Sequence, residues 1–295
     1  MTPTHHGDSR DLLDRLERYY DAVPRSGARA EDFGPLTLFV REGEGWPYYA
    51  RPALGHSGAV SADDVARVRA RQRELGVPES FEWVAENAPA LRDAAERAGL
   101  VVHEHPLMVL GPDAPLPDAP LPDAPLPDVP LPGATGRADG VAVRIVGPDD
   151  PVLPSALATP RLAFADAGTR VGAAGRAELD EAVRNSAGDG SVEAVAQRIR
   201  AGLSRVAAAV EGGVALCAGQ HQPVDGVSEI VGVGTLPAAR RRGLGLAVTA
   251  ALAADARSRG AGTVFLSAGD DDVARIYARL GFRRVATALI AEPAE

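Results

Sequence analysis

The chain has 295 residues, 45% of them hydrophobic, enough for one large domain or two ordinary ones with proper cores. Its formal net charge of −9 argues against a nucleic-acid partner and biases the long-range field towards cationic substrates. Every basic side chain apart from the histidines is arginine, which excludes a catalytic lysine, Schiff-base chemistry and the lysine of a phosphate loop. The single cysteine, Cys217, excludes an intrachain disulfide and a cysteine-based zinc cluster; its apolar setting, Val214–Ala218, predicts a buried, inert thiol. No apolar run approaches the roughly 20 residues of a membrane helix. The polar start, Met1–Asp8, lacks the apolar stretch of a secretory signal, so a cytoplasmic protein without membrane attachment is expected.

Reading along the chain, Asp8–Val23 has helical periodicity, with Leu12, Leu13, Leu16, Tyr19 and Tyr20 on one face. Leu36–Val40 reads as a strand. Ser61 caps a helix that runs to about Leu75, with Asp63 and Asp64 in its first turn. Phe81–Val84 reads as a strand, Ala88–Ala98 as a helix stopped by Gly99, and Leu100–Leu110 as one or two strands. From Pro115 to about Pro132 a five-residue Pro-Leu-Pro-Asp-Ala repeat fixes φ and removes backbone donors, which predicts an extended spacer. The expected organisation is an N-terminal lobe over 1–110, a linker over 111–136 and a second domain over 137–295.

Beyond the linker, Gly140–Val146 reads as a strand, followed by helices near Arg176–Asn185 and Ser191–Leu203. A hairpin joins Arg205–Val210 to Val214–Gln220 through Glu211-Gly212-Gly213. Glu229–Leu236 is a strand, Gly245–Arg259 an Ala-rich helix, Thr263–Ser267 a strand, Asp271–Leu280 a helix and Arg283–Ala291 the last strand. Asp270-Asp271-Asp272 reads as the cap of that helix. Alternating strands and helices imply a mixed α/β fold.

The most informative stretch is Val231-Gly232-Val233-Gly234-Thr235-Leu236-Pro237-Ala238-Ala239-Arg240-Arg241-Arg242-Gly243-Leu244-Gly245. A β-branched strand runs through Pro237 into an arginine-rich turn and two glycines that open a helix. Unpaired N–H groups and the helix dipole at such a start make a pyrophosphate cradle, and the arginines add charge-assisted donors.

Arg240-x-x-Gly243-x-Gly245 after a strand resembles the Gln/Arg-x-x-Gly-x-Gly/Ala signature of the GNAT superfamily of acyl-CoA-dependent N-acyltransferases. Leu236-Pro237 before the loop, Asp272–Tyr277 (similar to the family's Asn-x-x-x-x-Tyr helix) and the Gly281-Phe282 that follows extend the resemblance over about half the chain. It implies an α/β (mixed α+β) C-terminal GNAT domain whose central sheet splays open after the fourth strand. The implied co-substrate is acetyl-CoA, with no metal. Its pyrophosphate would lie on Arg240, Arg241, Arg242, Gly243, Leu244 and Gly245, its pantetheine arm on Val233, Gly234 and Thr235, and Asp272 would belong to the same site. The N-terminal half resembles, more weakly, the later part of the same fold. Where its loop should be, Tyr49–Gly58 lacks the Arg-x-x-Gly-x-Gly spacing, so it is expected to be a smaller degenerate lobe that binds no acyl-CoA.

In this family the amine attacks the thioester directly, and an acid and a base are needed. Tyr277 aligns with the family's tyrosine near the sulfur, although Val273, Ile276, Tyr277 and Leu280 also form a core face. Glu229 has the offset of the base in the histone-acetyltransferase branch, or it is an exposed residue at a strand entrance. His221 reads as a solvent-exposed loop residue, and His103 and His105 share a strand face without an evident third metal ligand. The expected acceptor is the primary amine of a small molecule, with a homodimer compatible. A protein amine, or a non-catalytic acyl-CoA-binding module, are the alternative readings.

Overall fold

The computed structural model of the chain describes residues 5–43, 45–116 and 140–294, with side chains from Arg10 onward. The proline repeat falls mainly on 117–139, outside the described residues. The remainder forms two compact units. One comprises Met1–Met108, Ser267–Ala274 and Arg284–Glu295; the other comprises Val109–Leu266 and Arg275–Arg283.

In the first unit, the helices are α1 (His5–Ala22), α2 (Ala62–Leu75) and α3 (Leu91–Arg97). The strands are β1 (Ala28–Asp32), β2 (Leu36–Arg41), β3 (Ala50–Pro52), β4 (Phe81–Val84) and β5 (Val101–Leu110). The last strand of the chain, β11 (Phe282–Glu292), lies beside β4, with Ala288–Ala291 antiparallel to Phe81–Val84. One face of the sheet packs Leu38, Phe81, Trp83 and Leu289 on Val65 and Val68 of α2 and Leu91 of α3. Tyr20 and Glu17 of α1 meet Arg51 of β3, which is fully buried, pairs with Glu17 and lies with its guanidinium carbon 5.5 Å from the centre of the Tyr20 ring. The strands β1 and β3 are too short and too polar for alternation to reveal them, and sequence analysis assigned neither.

In the second unit the strand order is β10-β9-β8-β7-β6, with β6 at Ala142–Val146, β7 at Arg205–Glu211, β8 at Val214–Val224, β9 at Val227–Thr235 and β10 at Thr263–Ser267. The β6–β9 run is antiparallel, while β9 and β10 are parallel. Five helices complete the second half of the chain: α4 (Leu153–Ala165), α5 (Arg176–Asn185), α6 (Ser191–Arg200), α7 (Leu244–Ser258) and α8 (Asp271–Ala278). Sequence analysis missed α4, because it is apolar around most of its circumference and holds Pro154 and Pro160, which read as breaks. Side chains tie it down instead. Ser155 Oγ accepts from the Ala215 N–H, and Thr159 Oγ1 donates to the carbonyl oxygens of Ala215 and Ser155. α7 covers the opposite face with a nearly all-buried Ala/Leu/Val surface.

The N-terminus of α2 is closed by a capping box. Ser61 Oγ accepts from the Asp64 N–H, and the Asp64 carboxylate accepts from the Ser61 N–H and hydroxyl. Ser61→Ala is expected to lower the unfolding free energy of the first unit by about 1 kcal/mol, measured by urea denaturation.

Candidate active site

The second unit opens where β9 leaves β10. Their parallel register runs only from Val227 opposite Thr263 to Glu229 opposite Phe265. From Ile230 to Thr235, β9 continues along β8 alone in that register. The register with β8 shifts between Ala218 and Gln220, opposite Gly232, whose φ is 64°. This bulge reverses which side chains face which helix. Before it, Ser228 meets His221 and through it Asp255 of α7, so Glu229 and Val231 face α4. After it, Thr235 lies on the α7 face with its hydroxyl 3.2 Å from Cys217 Sγ, and Gly234 faces α4. A Cβ on Gly234 would come within 2.6 Å of the Pro160 Cα, so glycine there lets α4 lie directly on the strand.

At the far end of β9 a 3-10 turn, Pro237–Ala239, delivers the chain to the arginine-rich loop. Arg241 adopts φ 67° and Gly243 φ 76°, both left-handed. For arginine that conformation costs about 1 kcal/mol or more, a strain that persists only where the surroundings impose it. Gly243 is the N-cap of α7 and offers no side-chain cap, and the first turn holds no acidic residue. The first N–H groups of the helix therefore point out of the loop with the positive end of the dipole behind them.

The three arginines of the loop divide their tasks. Arg241 is exposed. Arg242 pairs with Glu211 at 2.6 Å. Arg240 is buried and turned inward, donating to the carbonyl oxygens of Ala163 (2.9 Å), Arg170 (3.0 Å) and Asp166. Its guanidinium is thus engaged by the protein, whereas the expectation gave it to phosphate. Sequence alone could not find this, since the segment it holds lies some seventy residues earlier.

Tyr277 packs edgewise against Phe282, with ring centres 6.2 Å apart. The residue is half-buried, but its hydroxyl end is enclosed. Burial and the neighbouring Cys217 push the phenol up to about 12, and a hydrogen bond with Thr249 opposes them. Cys217 is itself fully buried, and burial pushes its thiol up to about 12 against a hydrogen bond from Thr235, as suits an inert residue. Thr249 donates to the Gly245 carbonyl at 2.8 Å, one turn earlier in α7. Thr235, Cys217, Tyr277 and Thr249 therefore form one polar cluster under the start of α7. Of the predicted set, Val233, Gly234, Thr235, Leu244, Gly245 and Tyr277 thus gather with the loop around the opening, and Glu229 stands at its fork. Asp272 lies exposed in the first turn of α8, where Asp270 accepts from the Val273 N–H as the helix cap.

His221 corrects the expectation of an exposed loop residue. It lies within β8, wholly buried, with Nδ1 2.8 Å from Ser228 Oγ and Nε2 2.9 Å from Asp255 Oδ2. β8 extends to Val224, beyond the expected end at Gln220, because the polar run Gln220-His221-Gln222 continues the strand. With Ser228 fully buried, the arrangement is a structural tie between sheet and α7 rather than a nucleophile and base. His103 and His105 do not converge with a third ligand: His105 Nδ1 lies 3.1 Å from the Gly269 carbonyl, and among the described residues no group of three or more histidines, cysteines or carboxylates is placed to hold a metal.

Burial of Asp255 acts to raise its carboxyl, but hydrogen bonds from His221 and Arg259 and the charge of Arg205 outweigh it and hold the group well below the usual carboxylate range. A depressed folded-state value means stability that is present above the unfolded value, near 4, and lost as pH falls below it. Asp255→Asn is expected to destabilise the protein by about 2–3 kcal/mol at pH 7 and to lose this acid-linked component, so in denaturation series the gap between the two proteins starts to narrow below about pH 4 and closes only below the depressed folded value.

Gly243 and Gly245 can be separated experimentally. A Cβ on Gly245 would sit 3.5 Å from Thr235 Oγ1, an ordinary contact, while any side chain at position 243 meets the left-handed backbone. Gly243→Ala is expected to lower the unfolding free energy by about 1 kcal/mol and Gly245→Ala to leave it unchanged or raise it by a few tenths, read by urea denaturation.

Residues 208–290 match the FR47-like protein family. Among solved structures, a GCN5-related N-acetyltransferase from Kribbella flavida is similar at 22% identity over 96% of both chains, with a TM-score of 0.61. A GCN5-related N-acetyltransferase-like protein from Streptococcus suis 89/1591 is similar at 12% identity over 96% of this chain and 98% of that one, TM-score 0.53. A GCN5-related N-acetyltransferase from Sphaerobacter thermophilus is similar at 16% identity over 96% and 86%, TM-score 0.51. A search of curated proteins finds no match.

Proposed function

We propose that this chain, whose fold is that of the GNAT acetyltransferases, is an N-acetyltransferase that moves an acetyl group from acetyl-CoA to the primary amine of a small molecule. The observation that carries the reading is the parting of β9 from β10 after Glu229, with an uncapped helix N-terminus and a left-handed glycine at the far end of the freed strand edge. The donor set fits a pyrophosphate, because backbone N–H groups and the α7 dipole face outward there while the Arg240 side chain is committed elsewhere. The freed edge of β9 from Ile230 to Thr235 fits an extended amide-bearing arm, which pairs with strand backbone as another strand would.

Acetyl-CoA supplies the activated acyl group as a thioester. Glu229, on the α4 side of the fork, accepts the proton of the attacking amine. The Tyr277 hydroxyl, on the α7 side, donates a hydrogen bond where the leaving sulfur gathers charge. Because its phenol is pushed up to about 12 and a free thiol has a reference value of about 8.5, complete proton transfer from Tyr277 to sulfur is uphill. Tyr277 therefore stabilises the leaving group while keeping its proton.

The first unit is proposed to bind no acyl-CoA. Its parallel pair, β3 with β4, is a single bridge at Ala50 and Phe81, and the residue after it, Arg51, fills the space with a buried side chain. The N-terminus of α2 spends its donors on Ser61 and Asp64 and adds two carboxylates, which repel phosphate.

On a panel of small primary amines, Glu229→Gln is expected to lower kcat by about 10²–10⁴-fold with acetyl-CoA affinity retained. Unchanged turnover removes Glu229 as the base. Tyr277→Phe is expected to lower kcat by about 10–10²-fold, the value of one hydrogen bond to a charged group. The wild-type pH–rate profile should show no descending limb from this phenol below about pH 10.

A further inference from the structure

Residues 164–178 contain no buried residue, yet their first part is held at one place. Besides the three carbonyl oxygens bound by Arg240, the Gly172 N–H donates to Pro237 O (3.1 Å) and the Ala238 N–H to Ala174 O (2.9 Å). The segment 163–174 thus hangs on residues 237–240, the stem of the anion-binding loop. It begins at Ala163, whose Cβ would lie 2.9 Å from a Cβ on Gly234, so it starts against the opening of β9. Asp166 adds a carboxylate 3.5 Å from the Arg240 guanidinium.

We propose that Arg240 is a positioning residue that couples occupation of the loop to the order of residues 163–174. Its backbone leads into the left-handed turn at Arg241, while its guanidinium spans three carbonyls of the segment. A ligand that fixes the loop backbone therefore fixes the Arg240 guanidinium, and the guanidinium fixes the segment bordering the opening. The planar guanidinium is needed because one group must reach three acceptors at once, which an ammonium does not match. This inference rests on the acyl-CoA reading for the identity of the ligand, but not for the attachment itself.

The test combines calorimetric titration of acetyl-CoA with hydrogen exchange of peptides covering 161–174, in full-length wild type, Arg240→Met and Arg240→Lys. In the wild type, acetyl-CoA is expected to slow exchange in 161–174 about tenfold. In Arg240→Met the affinity should stay within about threefold, exchange in 161–174 should be faster without ligand, and the slowing by acetyl-CoA should vanish. Arg240→Lys, the milder change, should behave in the same way and covers the case in which the methionine variant does not fold. A merely structural arginine would speed exchange but leave the ligand-dependent slowing, and that result overturns the proposal. So does loss of acetyl-CoA affinity with unaltered exchange, which would make the guanidinium a phosphate ligand. If wild type binds no acetyl-CoA, the acyltransferase reading fails, while faster exchange in both variants would still establish the attachment.

Discussion

The constraint on which the second unit depends is the short register between two parallel strands. β9 and β10 are matched over Val227–Glu229 and no further. A parallel ladder normally continues because each unmatched backbone group loses a partner. Here β9 keeps its bonds to β8 while its other edge is released, and the released edge is what a ligand with amides of its own can satisfy. The Gly232 bulge turns Glu229 towards α4 while Thr235, beyond it, turns towards α7. The strand ends at a proline turn, and the helix that follows starts without a cap.

The two units make an internal comparison. Both contain a short parallel pair whose strands are joined through a helix, but the chemistry at the helix start is opposite. α7 begins with a left-handed glycine, arginines before it and no acid in its first turn. α2 begins with a capping box in which the Ser61 hydroxyl accepts from the Asp64 N–H, and with two aspartates. One start leaves its first N–H groups without a side-chain acceptor, while the other carries a capping box and two carboxylates. In the first unit, burial pushes the Glu82 carboxyl up to about 7, with Arg51 opposing and Glu292 adding to the rise.

Much of this was legible in the sequence because it is local. A glycine pattern, a proline after a β-branched strand and an Ala-rich helix are short-range signals, and they marked β9, the loop, α7 and β10 within a residue or two. The N-cap of α2 at Ser61, with acids in the first turn, was equally visible, while the reciprocal bond from the Ser61 N–H to the Asp64 carboxylate came with the structure. What escaped depends on partners far away. Nothing near His221 announces that Asp255 and Ser228 enclose it. α4 has prolines where periodicity wants helix formers, and it is held by hydroxyl bonds to Ala215. Arg240 was read as a phosphate ligand because the motif names its position, while the carbonyls that occupy it lie in a segment without pattern.

The central claim is that one opening in this chain holds acyl-CoA, and calorimetric titration of acetyl-CoA into the full-length protein tests it most directly. The account predicts saturation at one ligand per chain. Two per chain would contradict the contrast between α7 and α2, and no binding would contradict the reading of the released edge of β9.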